Sequence, residues 1–260
     1  MEQVFNESGY PLDIKELELL SNLGNEFIVY KYFDSVVKIY KEDYTLTHLS
    51  LDELKALKKI PTERILMPTG ILYDKGHELI GYEMPYIKGQ KNLEQESVFN
   101  FFHELEILKQ DLDILCSNFI ILRDINLSNT IFNGKLYLID PGNYLINEMH
   151  KIIYHLDVDS LSLEEKEKLL IEWNYNKINR LIDMLLFSNK SNIDPFQFRQ
   201  IVQFIMKERE ENNLIYNLDI LKMYFNQDLS IGDAINDFIK NHIKDNPEER
   251  ALFLSLFNKG

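Results

Sequence analysis

Cysteine is almost absent from the chain, and its scarcity excludes two kinds of site. The one cysteine, Cys116, lies in the apolar stretch DILCSNFIIL, so the sequence has neither a disulfide framework nor a cysteine-based zinc cluster. The histidines supply no ligand set, because His150 and His155 have the wrong spacing for one helix face and the others are isolated. We expect Cys116 to pack in the core.

Basic residues are scarce relative to acidic ones. The chain has 28 lysines and arginines against 42 aspartates and glutamates, which gives a formal charge of −14. A nucleic-acid backbone or an anionic membrane is therefore a poor partner. Any phosphate-binding site must be locally basic against this background.

Long apolar runs are also missing. No stretch is long enough to span a bilayer, and the N-terminal segment MEQVFNESGY has neither a basic region nor an apolar run. We therefore expect a cytoplasmic protein.

The composition is otherwise that of a folded protein. With 260 residues, of which 45% are apolar, the chain is long enough for one large domain or two lobes. Strand-like runs and turn signals dominate up to about Lys88, and helical periodicity dominates afterwards. We predict an α+β fold with a β-rich N-terminal part, residues 1–88, and an α-rich C-terminal part, residues 89–260. One predicted core stripe consists of Phe99, Phe102, Leu105, Leu108 and Leu112.

Three oxygen-bearing side chains follow two apolar runs in the middle of the chain. Asp124 and Asn129 lie in a polar loop after the run that ends at Leu122, and Asp140 lies in a turn after the run 136–139. Either segment alone would be an ordinary turn, because Asp, Asn, Pro and Gly are common turn residues. The two in this order predict one cleft that carries all three side chains.

This arrangement suits phosphoryl transfer, which needs positioning and charge neutralisation more than covalent help. Asp124 can accept the proton of an attacking hydroxyl, and Asn129 and Asp140 offer the oxygen ligands that Mg²⁺ prefers. The pattern Arg123-Asp124-x-x-x-x-Asn129, followed by Asp140-Pro141-Gly142, resembles the catalytic loop and the metal-binding DFG turn of the protein-kinase superfamily. The resemblance covers the chain from about Leu12 to Phe187. It implies a bilobal kinase-like fold with ATP and Mg²⁺ as cofactors.

The resemblance also assigns a nucleotide site in the N-terminal part. The turn-rich segment 21–26 would cover the nucleotide, with Gly24 as the one glycine left of the three that the family usually has. Lys38, in VVKIY, would hold the α- and β-phosphates. Glu53, in a helix predicted to start at Ser50, would pair with Lys38. Without the later motifs Lys38 would be an edge-strand lysine, and Glu53 has an alternative role as a solvated glutamate of the first helical turn.

A hinge for the adenine ring is implied at the end of the last N-terminal strand. Met84 would stand beside the adenine pocket, and Pro85 and Ile87 would offer backbone groups. Proline has no N–H to give, so the donor would be that of Ile87. Gly89 would end the hinge.

Several departures from the family pattern leave the function open. Leu122 replaces the histidine of HRD, Pro141 replaces the phenylalanine of DFG, and Asn126 stands where Ser/Thr kinases have a lysine that touches the transferred phosphate. No APE-like end of an activation segment is found. Arg123 favours a protein hydroxyl as acceptor over a small molecule of the aminoglycoside or choline type. An inactive nucleotide-binding module is the third alternative.

The acceptor is expected to be basic. The stretch HLDVDSLSLEEKEK, in the region after the metal-binding turn, is acidic and would attract a positively charged acceptor. The candidate phosphorylation sites in this region are Tyr144, Tyr154, Ser160 and Ser162. We expect that turnover does not require their phosphorylation.

Overall fold

The computed structural model describes residues 3–41, 49–151, 157–188 and 193–257. The strands within these ranges are β1 (Val4–Asn6), β2 (Pro11–Leu12), β3 (Glu18–Ser21), β4 (Phe27–Tyr32), β5 (Ser35–Tyr40), β6 (Gly70–Tyr73), β7 (Leu79–Pro85), β8 (Ile120–Ile121), β9 (Thr130–Phe132), β10 (Leu136–Leu138) and β11 (Leu145–Ile146). The helices are α1 (Leu51–Leu57), α2 (Val98–Ser117), α3 (Leu163–Asp183), α4 (Pro195–Glu211), α5 (Asn217–Tyr224), α6 (Ile231–His242) and α7 (Pro247–Phe257). A π-helical turn, Met184–Ser188, extends α3.

The strands of the N-terminal part form one antiparallel sheet. Its order is β2-β1-β6-β7-β5-β4-β3, with seven strands in the described residues. In the centre of this sheet, Lys38 of β5 lies between Val29 on β4 and Tyr82 on β7. A side chain at Gly81 would collide with the carbonyl oxygen of Lys38, so only glycine allows β7 to approach β5 this closely.

The helices begin where polar caps start an apolar pattern. Ser50 caps α1 in a capping box with Glu53, and Ser162 caps α3 in a capping box with Glu165. Ser230 caps α6 through the N–H of Asp233, as its position in the sequence predicts. These local bonds satisfy N–H groups that helix starts leave without partners.

The stripe predicted for α2 is wrong at one position. Phe99 is 66% exposed, whereas Val98, Phe101 and Phe102 are buried. At about 100° per residue, Phe99 lies on the side of the helix opposite Leu108. The error comes from extending steps of three residues too far along a helix with 3.6 residues per turn.

The mixed α/β prediction is confirmed: the seven-stranded sheet ends before residue 86, and most of the helical structure follows it. The largest core cluster joins the inner face of this sheet to α1, α2, α3 and the strands around the polar loops. Cys116 is buried in a smaller apolar cluster, as expected. No helix in the described part of the chain combines the length and the apolar character needed to cross a membrane.

Candidate active site

A cleft of about 580 Å³ lies between the sheet and the two polar loops. The side chains predicted to carry chemistry, Lys38, Asp124, Asn129 and Asp140, all line this cleft. Leu20, Val29, Val36, Ile131 and Ile139 give it apolar walls, and Ser21, Gly24, Asn25, Glu26 and Phe27 cover it from the side of β3 and β4. An apolar cleft with a few convergent polar groups is the usual form of a small-molecule site.

The loop that carries Asp124 is held together by Asn126. The side-chain oxygen of Asn126 accepts hydrogen bonds from the backbone N–H groups of Ser128 (2.9 Å) and Asn129 (3.1 Å). Its amide nitrogen donates to Oδ1 of Asp124 at 2.8 Å. Asn126 therefore shapes the loop and orients the carboxylate, a role that a neutral, short side chain with both a donor and an acceptor can fill.

Asn129 is oriented with its oxygen available for a cation. Its amide nitrogen donates to the carbonyl oxygen of Asp124 at 2.9 Å and to Oδ2 of the same residue at 3.3 Å. The backbone N–H of Ile139 donates to the carbonyl oxygen of Asn129 at 3.0 Å. This bond brings Asn129 next to the residue that precedes Asp140.

Asp140 forms a direct ion pair with Lys38. Lys38 Nζ lies 2.6 Å from Oδ1 of Asp140 and 3.4 Å from the carbonyl oxygen of Ile139. Asp140 also caps the short 3₁₀ turn Pro141–Asn143, where its Oδ1 accepts from the N–H of Gly142 at 3.3 Å. Both short-range bonds use Oδ1, so Oδ2 is the oxygen left for a metal ion.

Lys38 is buried among aromatic rings. Its ammonium lies 5.3 Å from the ring centre of Phe27 and 5.8 Å from that of Tyr82. Burial raises the pKa of Tyr82 well above its ordinary value, and the negative charge of Asp140 adds to the shift, so this ring stays neutral beside the ion pair. Lys38 is therefore a central-strand lysine with a defined partner and not an edge-strand lysine.

The prediction that Glu53 pairs with Lys38 is wrong. Oε2 of Glu53 accepts a hydrogen bond from the N–H of Ser50 at 2.7 Å, which completes the capping box of α1. In the described part of the chain, the carboxylate within ion-pair distance of Lys38 is that of Asp140. Because the carboxylate of Glu53 caps the start of α1, Glu53 is not part of the candidate nucleotide site.

The glycine-poor segment before β4 is held in place by side chains. Lys41 donates from Nζ to the carbonyl oxygens of Asn22 (2.9 Å) and Gly24 (2.6 Å). At the other end of the segment, the amide of Asn143 donates to the carboxylate of Glu26 at 3.2 Å. The segment is thus tied both to β5 and to the turn after Asp140.

The predicted hinge residues do not all face the cleft. Pro85 and Ile87 line it together with Tyr86, whereas Met84 is buried in the core and is absent from its lining. The N–H of Tyr86 donates to the carbonyl oxygen of Asp34 at 2.8 Å. Among the described residues the N–H of Ile87 has no hydrogen-bond partner, and its role as a donor to a ligand stays a prediction. The assignment of Met84 to the nucleotide site is corrected to a core position.

Helix α3 holds the backbone immediately before Asp124. Oδ1 of the buried Asn174 accepts from the N–H of Leu122 at 2.9 Å, and its amide donates to the carbonyl oxygen of Ile120 at 2.8 Å. Nε1 of Trp173 donates to the carbonyl oxygen of Leu122 at 2.7 Å. Sequence reasoning missed this role, because an asparagine within a helical pattern carries no signal of a distant backbone partner.

A buried charged cluster positions the strand before Asp140. The carboxylate of Asp111 on α2 accepts from the N–H groups of Glu63, Arg64 and Ile65, at distances down to 2.6 Å. The guanidinium of Arg64 forms an ion pair with Glu104, and this hydrogen bond raises the pKa of Arg64. Segment 64–66 then exchanges backbone hydrogen bonds with Leu138 of β10. Helix α2 thereby fixes the strand that leads to Asp140.

The candidate phosphorylation sites differ in accessibility. Tyr144 is buried, and Ser162 caps α3 with its hydroxyl on Glu165. Ser160 is exposed and donates to the carbonyl oxygen of Asp157. Tyr154 lies outside the described residues.

The acidic side chains that motivated a basic acceptor lie elsewhere. None of the acidic residues of that stretch, Asp157, Asp159, Glu164, Glu165 and Glu167, is among the residues that line the cleft. Glu164 and Glu167 line a separate depression of about 310 Å³ at the start of α3, together with Glu172 further along the helix. Whether the acceptor is basic stays a prediction, but these side chains no longer support it.

The oxygen atoms of the site fit Mg²⁺ held jointly with phosphates. Mg²⁺ is usually bound by one or two carboxylates together with substrate oxygens and water. Asp140 Oδ2 and Asn129 Oδ1 offer that kind of set. Within the described ranges no group of three or more His, Cys, Asp or Glu side chains is arranged to hold a metal ion by itself.

Neither a comparison with models of known protein families nor one with curated protein sequences found a match for this chain.

Proposed function

We propose that the chain is an ATP- and Mg²⁺-dependent phosphotransferase that moves the γ-phosphate of ATP to a hydroxyl, with a Ser or Thr of a protein as the favoured acceptor. The observation that carries the proposal is the convergence of Lys38, Asp124, Asn129 and Asp140, from separate stretches of the chain, on one cleft. The proposal includes a protein-kinase-like bilobal fold, with lobes 1–88 and 89–260, in a cytoplasmic protein.

Each side chain has a role that its surroundings support. Lys38 holds the α- and β-phosphates, and its ammonium is already fixed at the cleft by Asp140. Mg²⁺, bound through Asn129 and Asp140, neutralises phosphate charge. Asp124 accepts the proton of the attacking hydroxyl, and its carboxylate is exposed while Asn126 and Asn129 hold its orientation.

The apolar walls and the free N–H of Ile87 provide for the adenine ring. Val29, Val36 and Ile139 offer flat apolar surface on both sides of the cleft, and the hinge at Pro85 to Ile87 closes its end. Phe27 approaches Gly142, where an added side chain would meet the ring at about the closest tolerated distance. A side chain at position 142 would fit only if the ring of Phe27 shifted by a few tenths of an ångström, so the turn after Asp140 favours glycine.

Calorimetric titration with ATP tests the proposal. We expect binding to depend strongly on Mg²⁺ and to weaken in Asp140→Ala. Asp74→Ala is the matched control, because Asp74 caps the β6–β7 turn with the same carboxylate chemistry, outside the lining of the cleft. ATP binding that does not depend on Mg²⁺, or no ATP binding at all, would contradict the proposal.

A nucleotide-binding module without transfer is a second candidate. Two observations favour it: Lys38 is already neutralised by Asp140, and Asn126 brings no positive charge to the transferred phosphate. Mass spectrometry of the protein and of a cell extract after incubation with Mg-ATP separates the candidates. Binding of ATP with no phosphate transferred to any acceptor would select this second function.

A small-molecule kinase is a third candidate. In the described part of segment 143–163 we find only the two-residue strand β11 and short 3₁₀ turns. Such a segment offers little platform for a peptide. Transfer to small hydroxylated compounds, but to no protein in the extract, would select this function.

A further inference from the structure

Three positive charges lie together beside Asp124 in a strongly acidic protein. Arg123 precedes Asp124 in the loop, and Lys177 and Arg180 lie on α3. Within the described ranges, no carboxylate lies within ion-pair distance of any of the three side chains. Among the described groups that act on Lys177, the one negative charge is Asp124, against the two positive charges of Arg123 and Arg180, so the cluster keeps a net positive charge that favours a ligand of opposite charge.

The contacts of Trp173 place Lys177 and Arg180 at the loop. Trp173 donates to the carbonyl oxygen of Leu122, the residue before Arg123. Lys177 follows Trp173 by one helical turn, and its ammonium lies 4.7 Å from the centre of the indole ring. Arg180 comes three residues later, so it shares the same face of α3.

The charges are close enough to act on one another. The pKa of Lys177 is lowered, first by its partial burial and then by the positive charges of Arg180 and Arg123, while Asp124 acts in the opposite direction. Lys177 therefore lies within electrostatic reach of the proposed proton acceptor.

We propose that Arg123, Lys177 and Arg180 bind an anionic group, a carboxylate or a phosphate, beside the accepting hydroxyl of a peptide. This inference rests on the proposed function and names the charge of its acceptor. It reverses the sign expected from the sequence, where the acidic stretch before and within the start of α3 favoured a basic acceptor. The glutamates of that helix start line a different depression, whereas the positive charges lie at Asp124.

A phosphate on the chain itself is the competing occupant, and the geometry disfavours it. Ser162 lies at the N-terminus of α3, and fifteen residues of helix separate it from Lys177 by about 22 Å. The exposed Ser160 precedes Ser162 by two residues and so also lies before the start of this helix. Tyr144 is buried and would have to leave the core to be modified. An anion supplied by the acceptor reaches the cluster without such rearrangements.

The test compares matched Ser peptides that differ only in flanking Glu or Lys residues. We expect the wild-type protein to transfer phosphate to the Glu peptide with at least a tenfold higher kcat/KM, and the preference to shrink as the salt concentration rises. The double variant K177Q/R180Q should reduce kcat/KM for the Glu peptide roughly tenfold, through KM. K168Q, a charge change at an exposed site nearer the start of the same helix, should leave the preference unchanged.

The possible failures can be told apart. Loss of Mg-dependent ATP binding in the wild-type protein would remove the proposed function itself, and with it this inference. Normal ATP binding and transfer with equal use of both peptides, or with preference for the Lys peptide, would overturn the inference alone. Phosphatase treatment that abolishes turnover of both peptides equally would assign the cluster to a phosphate on the chain and would also overturn it.

Discussion

Removing either partner of the ion pair between Lys38 and Asp140 should destabilise the protein, but removing Asp140 should cost more than removing Lys38. In Asp140→Ala, the partners that the described residues leave to the buried ammonium of Lys38 are the carbonyl oxygen of Ile139 at 3.4 Å and the aromatic rings around it. An unpaired buried charge of this kind costs about 3–5 kcal/mol of unfolding free energy. We expect Asp140→Ala to be destabilised on that scale.

The reverse substitution should cost less. The side chain of Asp140 is 20% exposed, against 9% for Lys38, and it keeps the N–H of Gly142. In Lys38→Met, the carboxylate therefore stays partly solvated, and we expect a loss of about 1–2 kcal/mol. The double variant replaces the pair by apolar groups and should lie close to Lys38→Met, so the coupling energy should equal the cost of Asp140→Ala, about 3–5 kcal/mol.

Urea unfolding of the four proteins, followed by circular dichroism, measures these differences. Experiments should be done without nucleotide, since bound ligand would add its own stabilisation. The reasoning is refuted if Asp140→Ala is no less stable than Lys38→Met, because the asymmetry depends on the deeper burial of the lysine. The result also bears on the ATP-binding test. Weaker binding by Asp140→Ala is informative only under conditions in which the unfolding curves show that the variant is folded.

Three further predictions follow from other parts of the molecule. Asp124→Asn should lose about 10²–10⁴-fold in transfer rate with near-normal ATP affinity, as measured by steady-state kinetics and calorimetry, and normal turnover would leave Asp124 a turn residue. Asn174→Ala should lower both stability, by about 1–3 kcal/mol, and kcat, because the backbone before Asp124 loses two buried hydrogen bonds; an unchanged Tm would show that α3 does not hold the loop. Burial raises the pKa of Asp183 from its ordinary 3.8 to about 7, against the opposing effects of Arg209 and the hydrogen bond from Asn217. The folded state therefore keeps a proton that the unfolded state releases near pH 4, so stability should fall by up to about 4 kcal/mol between pH 4 and 7, and Asp183→Asn should abolish this fall in denaturation measured across that range.

The sequence predicted features that depend on local pattern. The start of α1 at Ser50 and the change from strands to helices follow from neighbouring residues, and the structure confirms them. The convergence of Asp124, Asn129 and Asp140 on one cleft could be predicted because each of their two loops follows an apolar run, whereas Lys38 was assigned to the site by the family resemblance and not by local pattern. Here local pattern and tertiary arrangement agree.

Other features could not be predicted because two explanations competed for one residue. Glu53 had two possible partners, the N–H of Ser50 and the ammonium of Lys38. The bond to Ser50 joins residues three apart in one helical turn, whereas a bond to Lys38 would depend on how the helix packs against the sheet. In the sequence Met84 is one of several apolar residues at the end of a strand. The register of β5 with β7 determines whether its side chain faces the core or the cleft. Neighbouring residues alone do not fix either outcome.

The residues that hold the backbone around the site could not be predicted from sequence patterns for a different reason. Asn174 and Asp111 lie within helical periodicities, and their partners are backbone groups about fifty residues away. Similarly, Lys41 donates to carbonyl oxygens of the loop before β4, and the strands β4 and β5 separate this loop from Lys41 in the sequence. A polar residue on a buried helix face is a signal that something must satisfy it, but the sequence does not say what.

The contacts across the cleft connect the two parts of the protein at the site itself. Lys38 of the sheet binds Asp140, and Glu26 beside the glycine-poor segment binds Asn143 in the same turn. Both bonds end on the turn that would hold Mg²⁺. A cation bound at Oδ2 of Asp140 would weaken the attraction of this carboxylate for Lys38, and phosphates bound by Lys38 would weaken the attraction of its ammonium for Asp140. Nucleotide and metal are therefore expected to bind together, since each neutralises the charge that the other leaves less well paired.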